Sequence, residues 1–181
     1  MKAIALLAAA LLSSGAASAA LLTTGLPVTA TLNGSADGLL GLDSGYQPGP
    51  GSHVTGLTDG DIEFIAADYS FMLDLGSDGL LRIYNNDAGS SLLAGLRVVE
   101  LSFADPGLHL GTAQLLGSLP GGQVSFETLS PQSLRITLQD VQFGALFGSV
   151  DAQLANAVPE PSTTALLGLG LLGLALRRRP R

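Results

Sequence analysis

Between Leu21 and Ala157 the chain alternates apolar and polar residues over several short runs, the period of a strand with one buried face. In "SFMLDL", Phe71, Leu73 and Leu75 share one face. "RVVELSF" turns Val99, Leu101 and Phe103 inward and Glu100 and Ser102 outward. "QVSFET" does the same with Val124 and Phe126, and "SLRITLQ" with Leu134, Ile136 and Leu138. Further strands are expected at Val28–Leu32, Ile62–Ala66, Leu80–Tyr84, Leu108–Leu115 and Val150–Leu154. After Leu138 the apolar positions jump to Val141 and Phe143. A strand cannot change face without an extra residue, so a β-bulge or short turn is expected at Gln139-Asp140.

Turn signals separate these runs. "LGSDGL" at Leu75–Leu80 reads as a tight hairpin, because Asp78-Gly79 tolerates positive φ. "NNDAGSS", "ADPG" and "LPGG" punctuate the chain in the same way. About nine strands at this spacing imply an all-β protein, an antiparallel β-sandwich with a jelly-roll-like arrangement. The segment Asn33–Gly60 holds eight glycines, with Pro48 and Pro50, and reads as a long loop presenting Tyr46 and His53.

The two ends follow another pattern. Lys2 precedes an apolar stretch from Ala3 to Leu12, and small residues follow. This is the design of a cleavable secretory signal helix at residues 1–19. Ala17-Ser18-Ala19 fits the cleavage site, with cutting after Ala19 or, alternatively, Ala20. Residues 20–157 then form the sandwich domain, and residues 158–181 form a tail. Its run from Thr163 to Leu176 carries no charge and ends at Arg177, Arg178 and Arg179. As a helix it would reach about 21 Å, short of a hydrocarbon core of roughly 30 Å. The arginines would stay on the cytoplasmic side and snorkel, so a transient transmembrane helix is expected. Pro159 and Pro161 keep the chain before it extended.

Pro159-Glu160-Pro161, an apolar helix and an arginine cluster together resemble the PEP-CTERM sorting signal. The resemblance implies an exported protein of a Gram-negative bacterium that makes exopolysaccharide. It implies recognition by an exosortase, a membrane-embedded protease or transpeptidase, with cleavage near Pro-Glu-Pro. The order is an inner-membrane intermediate, then the cell surface or extracellular matrix. The likeness concerns the tail and implies nothing about the body.

Charge narrows the partners. The chain has 15 acidic and 8 basic residues. Only Arg82, Arg97 and Arg135 lie in the body, against fourteen acids, giving it a net charge of −11. Such a surface repels phosphate backbones, which excludes nucleic acid as a partner. Cysteine is absent, so no disulfide or thiolate chemistry exists. His53 and His109 are the only histidines and form no H-E-x-x-H pattern, and no nucleophile elbow or phosphate loop occurs in the body. No catalytic residue, cofactor or metal ligand is assigned. Calcium is the side expectation, from Asp59, Asp61 and Glu63 in "TDGDIE" with Asp74 and Asp78 in "DLGSDG". The expected function is therefore a non-enzymatic surface or matrix protein associated with exopolysaccharide. The alternative is a carbohydrate-binding module, calcium-dependent if those carboxylates hold the ion. A third reading is a glycoside hydrolase using two carboxylates.

Overall fold

A computed structural model describes residues 21–157. The expected signal helix with Ala17, Ala19 and Ala20, and the tail with Pro159, Glu160, Pro161 and Arg177–Arg179, lie outside the described residues. Within them are eleven strands: β1 (Pro27–Leu32), β2 (Leu39–Gly41), β3 (Val54–Gly56), β4 (Phe64–Ala66), β5 (Phe71–Leu75), β6 (Leu80–Asn85), β7 (Leu92–Phe103), β8 (Leu110–Leu116), β9 (Gly121–Ser130), β10 (Ser133–Gln142) and β11 (Ser149–Asn156). Among the described residues helix is confined to two three-residue 3-10 turns, and no helix is long and apolar enough to cross a membrane.

The strands form two antiparallel sheets, ordered β3-β1-β7-β10-β9 and β2-β4-β5-β6-β11-β8. The protein is an all-β sandwich. The finer jelly-roll arrangement does not follow from these orders. Alternation supplies the core: Val28, Ala30, Val99, Leu101, Leu134 and Ile136 from the first sheet meet Phe71, Leu73, Leu81, Ile83, Ala152 and Leu154 from the second. Each such large side chain contributes about 1.5–3 kcal/mol relative to exposure. Val124 and Phe126 face inward as expected but stay half-buried, because β9 is a sheet margin.

The segment read as a long loop differs. It contains β2 and β3, each only three residues long, and these form the outer strands of the two sheets at one margin. Gly41 N–H donates to the Ser52 carbonyl at 2.5 Å. A Cβ at Gly41 would lie 2.7 Å from the Val54 oxygen, so glycine permits this approach. At the other margin, the Thr128 hydroxyl donates to the Gly111 carbonyl, linking β9 to β8. Both open edges are thereby partly covered.

The parity switch after Leu138 appears where it was expected. The β7–β10 register shifts between Gln139 and Val141. Asp140 takes φ +48° and its carboxylate accepts from Gly95 N–H at 2.7 Å. Leu138 and Val141 are both buried as a result. On the other side of β10, Gly122 sits at φ +80°, where a Cβ would come within 2.2 Å of the Asp140 carbonyl oxygen. Gly122→Ala is therefore expected to destabilise the protein by about 2 kcal/mol, combining left-handed strain with that clash. The urea midpoint measures it, and an unshifted midpoint would contradict this account of the bulge.

The two ends of the sandwich differ in character. The first and last described segments meet at one of them: Leu22 N–H donates to the Ser77 carbonyl, and Leu154 N–H to that of Gly79. The opposite end carries exposed apolar side chains, among them Leu92, Leu116, Leu146 and Phe147.

Candidate functional site

Side chains of the six-stranded sheet that do not enter the core line its outer face. Strand register sets them in rows. Leu40, Ile65, Met72, Tyr84 and Ser149 form one row across five strands. Asp74, Arg82, Asp151 and Leu116 form the next. Leu40 and Ile65 are buried without belonging to the central core cluster. The Tyr46 hydroxyl donates to the Ile62 carbonyl at 3.1 Å, so the segment after β2 folds back toward the residues leading into β4.

In the second row Arg82 stands between two carboxylates, with Nη1 3.8 Å from Asp74 and Nε 3.8 Å from Asp151. The β5–β6 turn and the stretch at Asp59-Gly60 rise beside this row. Together they enclose a polar cleft of about 300 Å³ lined by Asp59, Asp74, Ser77, Asp78, Leu80 and Arg82. Asp59 is fixed by Ser77, whose N–H and hydroxyl donate at 2.7 and 2.9 Å. Those hydrogen bonds, the backbone one foremost, hold its carboxyl below the usual range. Asp78 caps its own turn by accepting from Leu80 N–H at 2.9 Å. Burial pushes the Asp74 carboxyl up, opposed by the Arg82 charge and a Tyr84 hydrogen bond. One Asp151 oxygen, Oδ1, is enclosed without a hydrogen-bond partner. The cleft thus offers carboxylate acceptors and one guanidinium donor, the chemistry that recognises hydroxyl groups.

The residues of "TDGDIE" do not act together. Asp59 lines the cleft and Asp61 is exposed, but Glu63 is wholly buried. Its carboxylate accepts from Thr58 N–H at 2.9 Å, the Thr58 hydroxyl at 3.3 Å and Leu75 N–H at 2.7 Å. It therefore ties the segment after β3 to the end of β5. Among the described residues, no three His, Asp or Glu side chains gather closely enough to hold a metal ion. His109 is exposed at the end where β11 leaves the sandwich. His53 lines a separate shallow depression with Asp37, Pro48 and Pro50. Arg82, Tyr84 and Asp151 were not singled out from the sequence. Alternation alone places them outward, but only the topology, with β11 beside β6, makes Arg82 and Asp151 neighbours.

Residues 157–179 match the family described as the PEP-CTERM protein-sorting motif. The chain therefore carries an exosortase-directed sorting signal at its C-terminus, the mark of an exported protein processed at the membrane. The match is confined to the tail. No curated protein and no solved structure matches the chain.

Burial pushes the Glu63 carboxyl up to about 7, against the pull of its three donors. Because the folded-state value lies above the unfolded one, the fold favours the protonated acid. That contribution is fully present below pH about 4.5 and is lost as pH rises to about 7, with a size up to about 3 kcal/mol. Glu63→Gln is expected to flatten the stability profile across that window, measured by urea unfolding at successive pH values. Parallel profiles for the two proteins would refute the assignment.

Proposed function

We propose that this is a non-enzymatic protein of the cell surface or extracellular matrix of a Gram-negative bacterium, held in or on its exopolysaccharide. The observation that carries the reading is the sorting motif at residues 157–179, since it gives the body a route through the membrane to the outside. The export machinery and an exosortase are the partners in transit, with transient insertion of the apolar tail. The body then acts by binding.

The polar cleft and the row beside it support carbohydrate as the ligand. Asp59, Asp74, Asp78 and Arg82 present hydroxyl-recognising groups, and Tyr84 lies one row away as a stacking surface for a sugar ring. The acidic body favours an uncharged or amino-sugar polymer over a polyanion.

The test is a titration of the processed extracellular form against exopolysaccharide of its own host, with calcium and then with chelator. Saturable binding is expected, weakened at least tenfold by Asp74→Ala or Arg82→Ala. Loss of binding in chelator alone would assign the carboxylates to calcium. An absence of binding in both conditions would overturn the polysaccharide reading.

A further inference from the structure

The last strand leaves almost no chain between the folded body and the sorting motif. β11 is paired to Asn156, opposite Leu110 of β8, and Ala157 N–H still donates to the His109 carbonyl at 2.6 Å. Pro159 follows two residues later. Fully extended, two residues reach about 7 Å. Five residues, Val158 to Ser162, separate Ala157 from the uncharged run that begins at Thr163. At full extension the six steps from Ala157 to Thr163 span at most about 20 Å. A single helix with its side chains is already about 10 Å across. An enzyme that engages Pro-Glu-Pro from the membrane has no room to do so without touching the end of the sandwich.

That end has a definite chemistry. The turn residue Asp78 and the β7–β8 turn residue Asp105 flank the departing strand: Leu154 N–H donates to the Gly79 carbonyl, and Ala157 N–H to the His109 carbonyl. Asp59 lies beside Ser77 at the same end. Arg82 shares the cleft with Asp59 and Asp78 but stands between Asp74 and Asp151, while Arg97 on Asp68 and Arg135 on Glu100 and Glu127 are engaged away from it. With Arg82 matched by Asp74 and Asp151, the excess charge at this end is that of Asp59, Asp78 and Asp105.

We propose that the end of the sandwich where β11 leaves the body is a contact surface for the membrane-embedded enzyme that processes the tail, and that the enzyme meets it with a positively charged face. The inference rests on the sorting reading and adds a second recognition element beyond the tail itself. Short tethering enforces the contact, and charge sets its sign. Anionic lipid headgroups would be repelled by the same surface.

The experiment follows loss of the tail from the full chain in host cells by pulse–chase and intact mass. The chains compared are the native one, Asp78→Asn with Asp105→Asn, and Asp78→Glu with Asp105→Glu. Each is made with and without a twelve-residue Gly-Ser spacer, on the order of 20 Å of flexible reach, after Ala157. The Asn pair retains the oxygens that cap Leu80 and Gly107, so the turns are kept. Without the spacer, the Asn pair is expected to lose its tail at least threefold more slowly than the native chain, and the Glu pair at the native rate. With the spacer, all three should be processed alike. Native-rate processing of the unspaced Asn pair would overturn the proposal. Faster processing would overturn it too, and would identify lipid headgroups as what this end meets. Failure of the native chain to lose its tail, matching a Pro159→Ala, Glu160→Ala, Pro161→Ala control, would instead bring down the sorting reading itself.

Discussion

The six-stranded sheet depends on its last strand. β11 lies between β6 and β8, so β8 is joined to its own sheet only through residues 149–156. Val150, Ala152 and Leu154 also complete the inner face. The chain must therefore be synthesised and exported almost to the sorting motif before this sheet can exist. Long-range pairing of this kind is slow, because loop closure precedes its reward. Folding and arrival of the tail at the membrane are thus close in time as well as in sequence.

Much of the fold is written in residue alternation. Phe71, Leu73 and Leu75 face inward because each neighbour in that run is less suited to burial, and all three are fully enclosed. The bulge at Asp140 was legible because Leu138 and Val141 cannot share a face otherwise. β2 and β3 were not legible. Three residues contain too little alternation to register, and the glycines around them suggest a loop. At Gly41 the glycine instead allows two backbones to approach.

Glu63 shows a different limit. A charged residue beside two aspartates reads as solvent-facing, since burial of a lone carboxylate is costly. What permits its burial is a set of donors from Thr58 and Leu75, five and twelve residues away. The sequence holds no sign of that convergence. The cleft was only partly legible for a related reason. Asp59, Asp74 and Asp78 stood out as acids, whereas Arg82 and Asp151 acquire their meaning from strand order. The tail is the opposite case, because its signal consists of adjacent residues and needs no fold to be read.

The meeting of the first and last segments of the sandwich, Leu22 and Leu154, at the Ser77–Gly79 turn has one more consequence. A short linker could join them, and the chain could then be opened elsewhere without unravelling the sheets. The exposed Gly117-Ser118 step between β8 and β9 is a natural place for new ends. Such a circular permutant would keep every strand pair while carrying its termini at the apolar end of the sandwich. The order of the strands along the gene and the direction in which the body hangs from the membrane are thus separable properties of this architecture.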